Sequence, residues 1–183
     1  MAETQASPAP RLDDVAAFVN TADLEAGEDE WSSPAALGAW LGGRGLAEPA
    51  ATPTAADLER AVQVREALRA LAGVNNSGPL PVDAIGVLDS VCARVPLTLR
   101  FGRDGAPSLE PGATGVDAAL ARILAAVYTS MADGSWRRLK ACAKHSCRWI
   151  FLDRSKNGSR TWCSMKVCGN RVKAERFREQ HGR

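Results

Sequence analysis

Four of the chain's five cysteines fall within one stretch, ACAKHSCRWIFLDRSKNGSRTWCSMKVCGNR, residues 141–171. They form two equally spaced pairs. Four residues separate Cys142 from Cys147, four separate Cys163 from Cys168, and 15 lie between the pairs. A structural zinc ion takes four ligands in a tetrahedron, mostly thiolate or imidazole, and two ligand pairs on separate turns meet that demand. We therefore read Cys142, Cys147, Cys163 and Cys168 as ligands of one structural Zn²⁺. His145 is the rival ligand, and disulfide pairing is the alternative. Four protein ligands leave no open position, so the metal would be structural rather than catalytic. The segment has few apolar residues and needs such a staple to fold.

Charge divides the chain in the same place. The net charge of +2 conceals a body and a tail of opposite sign. From Gly134 onward there are 14 Lys and Arg against 3 Asp and Glu; the first 133 residues carry 9 against 18. Four thiolates around Zn²⁺ leave a formal charge of −2, which nearby bases offset while favouring thiol ionisation. The excess of bases is much larger than that, and points to a polyanionic partner.

Upstream, apolar periodicity predicts helices. Leu12, Val15, Ala16 and Val19 share one face of the first. The acidic run DLEAGEDE reads as a loop. A short helix follows with Ser33 as N-cap, Pro34 at its first position and Leu37, Trp40 and Leu41 as its stripe. Thr54 and Asp57 cap a long helix. Val82, Ile85, Leu88, Cys92 and Val95 mark another, with Cys92 as a core thiol. In VPLTLRFGRDGAPSLEP the period drops to two around an Asp-Gly turn, which predicts a β-hairpin. A further helix has Thr114 and Asp117 as a capping pair and a stripe from Val116 to Tyr128 and Met131. In the cysteine segment the run Trp149–Leu152, then Asn157–Gly158, suggests a second hairpin before a polar helix.

The expected fold is therefore mainly α with a small β-hairpin (α+β), followed by a treble-clef-like Cys₄ finger. Residues 1–10 read as a disordered lead, 11–133 as a helical domain that senses an effector or dimerises, and 134–183 as the finger. No run of 18 apolar residues suggests a membrane span, and the N-terminus has no signal-peptide character, so a cytoplasmic, nucleoid-associated protein is expected. With no phosphate-binding glycine loop, nucleophile elbow or paired metal-binding carboxylates, an enzyme is the least expected class.

The stretch RWIFLDRSKNGSRTWCSMKVCGNR resembles the CGNR zinc finger of bacterial proteins. AAFVNT near the start and VREALRAL further on resemble the ABATE domain that accompanies it, a domain of stress-induced transcriptional regulators. Together the two resemblances span most of the chain beyond Arg11. They imply that the four cysteines bind zinc and that the finger binds DNA. RNA or protein binding, or a thiol redox switch, is the alternative.

Double-stranded DNA needs cations for its phosphates and forked donors for its bases. Arg148, Arg154, Lys156, Asn157, Arg160, Asn170, Arg171, Lys173, Arg176 and Arg178 are the candidates. Asn170 and Arg171 follow Cys168 so closely that they either bond the finger itself or reach DNA. One further anomaly lies in the body. Stepping 100° per residue from Leu58 puts Arg65 and Arg69 inside the apolar arc of their helix. Such guanidinium groups take internal ion pairs, or, with Asn20 and Thr21, form a pocket for a small anionic effector.

Overall fold

The computed structural model describes residues 11–47 and 52–181; the expected disordered lead lies outside them. The body contains α1 (Leu12–Val19), α2 (Pro34–Gly43), α3 (Ala55–Val74), α4 (Val82–Arg94) and α5 (Gly115–Ala132). The predicted hairpin, β3 (Leu97–Phe101) with β4 (Pro107–Pro111), joins α4 to α5 and centres its register on Leu99 opposite Leu109. Beyond α5 come β5 (Leu139–Ala141), β6 (Ile150–Leu152) and α6 (Asn170–His181). The chain is thus mainly helical with small antiparallel sheets, as the sequence indicates.

Local chemistry sets the helix starts. Ser33 Oγ accepts a hydrogen bond from Ala36 N, so one free donor of the first turn of α2 is satisfied. Thr54 and Asp57 form the full capping box: Thr54 Oγ1 accepts from Asp57 N at 3.2 Å, and Asp57 Oδ2 accepts from Thr54 N at 2.7 Å. Thr114 differs. Its side chain makes no cap bond, and Asp117 instead takes Arg60 at 3.1 Å and Arg94 at 3.6 Å.

The core forms around α5, where Leu120 and Ile123 are fully buried against Val15 and Phe18 of α1, Leu37 and Leu41 of α2, and Val64 and Leu68 of α3. Phe18, Trp31 and Trp40 meet edge-to-face, with centroids 5.0, 5.6 and 5.9 Å apart. By length and composition α5 could cross a membrane, yet more than half of it is buried inside this protein, as befits a core helix.

Four expectations change. The acidic run is not a plain loop: β1 (Ala22–Asp23) and β2 (Glu28–Asp29) pair across it, and the Trp31 that follows is buried. Cys92 is exposed, because α4 buries only its Val91 and packs chiefly on α3. Tyr128 and Met131 are exposed too, so the apolar stripe of α5 is not covered to its end, and the buried residue of its last turn is Ser130. Finally, β6 pairs backward with β5 across the first cysteine pair, in the register Ala141 opposite Ile150. It does not pair forward across Asn157–Gly158. The hairpin β5–β6 also shares the body's interior, since Leu139, Ala141 and Ile150 belong to the main core, with β5 against α3 and β6 against α1.

Candidate metal centre

The ladder of β5–β6 delivers the first cysteine pair. Cys142 N donates to Trp149 O at 2.9 Å, extending the ladder by one rung. Cys147 N and Arg148 N both donate to Lys144 O, closing a tight turn. Arg148 then takes a left-handed φ of 47° and sends the chain into β6. Of the second pair, Cys168 sits on a wide π-type turn, Met165–Gly169, directly before α6, and Cys163 lies two residues ahead of that turn. Ser164 Oγ accepts from Val167 N, and Ser164 O from Gly169 N. That turn folds Cys168 back beside Cys163. Gly169 leaves room there for the neighbouring side chains: a Cβ would displace the end of Met165 and lie 3.1 Å from Trp162. Trp149 and Trp162 pack against the cysteines and form a small separate cluster.

All four sulfurs lie within 4.8 Å of one another. Cys163 Sγ is 3.7 Å from Cys147 Sγ and 3.6 Å from Cys168 Sγ. Tetrahedral zinc with Zn–S bonds of about 2.3 Å separates its sulfurs by about 3.8 Å, whereas a disulfide bond is near 2.05 Å. The donor set fits a zinc site, and none of these cysteines is in a disulfide. His145 is exposed and outside the cluster.

The thiols' acidity shows the same need for a cation. Burial, reinforced by neighbouring sulfurs, pushes Cys163 far above the usual thiol range and Cys168 up to about 11. For Cys142 burial acts upward as well, but backbone N–H groups of Cys163 and Lys144 outweigh it, and its pKa is lowered. Four such groups cannot all ionise together without a positive centre among them.

The basic residues around this cluster divide into two groups. One group is committed to the protein. Lys140 is buried and donates to Asp153 Oδ2 at 2.9 Å and to Arg160 O at 3.1 Å. Asp153, also buried, accepts from Ser155 N, Ser155 Oγ and Arg160 N. Burial raises its pKa, but these donors prevail and hold it well below the usual carboxylate range. Arg160 caps Cys163 O at 2.7 Å and lies over the Phe151 ring. Arg154 pairs with Asp13 at 3.1 Å. Arg171 meets Glu25 at 2.6 Å, and Lys144 binds the same oxygen. The second group faces outward. Lys156, Asn157, Asn170, Lys173, Arg176 and Arg178 are exposed. The cations among them form no ion pair among the described residues.

Asn20, Thr21, Arg65 and Arg69 come together, but as a joint rather than an open anion site. Arg65 grips Asp29 through both terminal nitrogens, at 2.8 and 2.6 Å, reaches Thr21 Oγ1, and pairs with Glu66. Arg69, fully buried, bonds Glu66, Val19 O, Ala22 O and Arg148 O. Asn20 exchanges two 2.8 Å hydrogen bonds with the backbone of Ile150. The carboxylates of Asp29 and Glu66 occupy the positions an effector anion would take. Asn75 and Asn76, at the end of α3, each clamp two backbone carbonyls: Trp136 O and Leu139 O, and Ala141 O and Thr161 O, all at 2.8–2.9 Å. Asn75, Asn76, Glu25 and Asp29 carried no sequence signal of this role.

A hairpin whose turn carries two cysteines, followed by a third just ahead of a helix and a fourth in that helix's leading turn, defines a treble-clef type of zinc finger, here seated on a helical domain. Comparison with family models agrees. Residues 138–181 match the CGNR zinc finger, and residues 8–134 match ABATE, described as "Putative stress-induced transcription regulator". The chain belongs to the ABATE family and carries a CGNR zinc finger. No curated protein matches it.

Proposed function

We propose that this chain is a transcriptional regulator whose four cysteines hold one structural zinc ion and whose finger binds double-stranded DNA. One observation carries the reading. None of the residues of α6 is buried, and its Lys173, Arg176 and Arg178 lack carboxylate partners among the described residues, whereas Lys140, Lys144, Arg154, Arg160 and Arg171 are engaged within the protein. A solvated helix of this charge is suited to a groove lined by phosphates. Lys156, exposed on the turn before the second cysteine pair, adds a further cation without an ion pair among the described residues, and Asn157 beside it is exposed as well. Zinc, when bound, supplies charge neutralisation and a fixed tetrahedral node, and the protein then holds α6 in one orientation on the body. A centre with four sulfur ligands leaves no coordination position for a substrate, so we read the chain as a binding protein and not an enzyme. Chromosomal DNA as partner implies a cytoplasmic location. A carboxylate effector acting at Arg65 has to compete with Asp29.

The test is fluorescence anisotropy on labelled duplex DNA and on structured RNA across a salt series. We expect duplex binding with a steep salt slope, and Lys173→Ala lowering the log–log slope by about 0.9. Salt-independent binding, or preference for RNA, overturns the reading.

A further inference from the structure

We infer that β3 is a dimerisation edge: two copies of this chain pair their β3 strands antiparallel about a two-fold axis at Leu99. This rests on the hairpin and the surface beside it and is independent of the DNA reading.

The hairpin has one wholly apolar face. Leu97, Leu99 and Phe101 stand opposite Pro111, Leu109 and Pro107 in three cross-strand pairs. Alternate residues of a strand share a face, so Thr98, Arg100, Ser108 and Glu110 form the other. Such alternation belongs to a hairpin with one side covered. Yet Leu99 is 56% and Phe101 69% exposed, and a lone two-stranded hairpin is marginal in water.

The hydrogen-bond ladder shows which edge is open. Gly102 N donates to Ala106 O and Gly112 N to Pro96 O, and Pro107 and Pro111 have no N–H to give. The bonded rungs are therefore the even-numbered residues of β3, and the N–H and C=O groups of Leu97, Leu99 and Phe101 point outward. On β4 the outward positions are Pro107, Leu109 and Pro111, so that edge has almost no donors and also lies against α5. β3 pairs only with β4 among the described residues. It carries no proline, lysine or bulge, the usual devices that blunt a free edge.

A second copy is the occupant that this edge fits. Pairing about Leu99 sets Leu97 against Phe101, Thr98 against Arg100 and Leu99 against itself. Every outward main-chain group gains a partner, apolar side chains meet apolar ones, and no two like charges face each other. Beside Leu97 lies a cavity of about 180 Å³, lined also by Val91, Cys92, Val95, Ala121 and Leu124. Phe101 of one copy stands next to Leu97 of the other, at the mouth of that cavity. Ile85 on α4 and Tyr128 on α5, one to two turns beyond the lining residues, extend the apolar surface.

The experiment is analytical ultracentrifugation of the full chain at tens of micromolar. The wild type is expected to sediment as a dimer, and Ser108→Lys, on the polar face, to remain one. Leu99→Pro removes only an outward donor, and Phe101→Lys places charge on the exposed face. Both are expected to be folded monomers by circular dichroism. A monomeric wild type overturns the proposal, as does a dimer that persists in Phe101→Lys. If Leu99→Pro unfolds, Phe101→Lys alone decides.

Discussion

Helices α5 and α6 exist for opposite reasons. In α5, 11 of 18 residues are buried, and the helix is the axis on which the body condenses. α6 has 12 residues and buries none. An isolated helix of that length is marginal in water, so α6 depends on what fixes its first turn, namely Cys168 and the turn Met165–Gly169. One helix is held along its whole side by apolar contact; the other is held at one end by a sulfur cluster. The two parts of this molecule should therefore fail independently, although they touch through a dense set of hydrogen bonds.

The strongest way to break that contrast is to remove the metal. Binding energies of about 10 kcal/mol or more are typical of structural zinc. Chelation, or Cys168→Ser, should abolish hydrogen-exchange protection across residues 153–181 while the amides of α3 and α5 stay protected. Elemental analysis of reduced protein should find one zinc per chain; its absence, with α6 still protected, removes the basis of the comparison.

Next in size is the buried Lys140–Asp153 pair. Asp153→Asn leaves an ammonium buried without its counter-charge, a loss of about 3–5 kcal/mol, read as a fall in the finger's unfolding midpoint. The pH dependence has a definite sign. The folded carboxyl titrates below the unfolded one, so its contribution is complete above about pH 5 and fades as pH falls below about 4. The Asp153→Asn protein should lack that part of the acid sensitivity.

A third change tests the contact between the parts. Asn75→Ala with Asn76→Ala deprives four backbone carbonyls of their donors, at about 1–3 kcal/mol for each buried group left unpaired. Exchange should rise at β5 and Thr161 while zinc content stays unchanged. The smallest effect is expected on α6 itself. Phe177 is 61% exposed, and Phe177→Ala should shift stability by less than about 0.5 kcal/mol.

Sequence reading was most successful where a signal is local. The cysteine spacing, the Ser33 cap, the Thr54–Asp57 box and the Asp-Gly hairpin each depend on residues a few positions apart. It failed where partners are distant. Glu25 reaches Lys144 and Arg171 over separations of 119 and 146 residues, and no period or spacing encodes such a meeting. The inward-facing Arg65 and Arg69 were visible from helical geometry, but their partner Asp29 lay in a run of acids with nothing to single it out. Cys92 and Tyr128 obeyed the helical period and still ended outside, because periodicity identifies an apolar face without saying what covers it. The strand Ile150–Leu152 could pair in either direction by composition, and contact with α1 and α3 decided it.

Leu139, Ala141 and Ile150 lie past the last residue of the ABATE match, yet they complete the interior of the ABATE body. Excision at residue 134 would uncover the ends of α1 and α3 and expose an oily opening where the hairpin had been. The smallest autonomous fragment of the body therefore runs to Leu152, and half of the module that carries the cysteines travels with it.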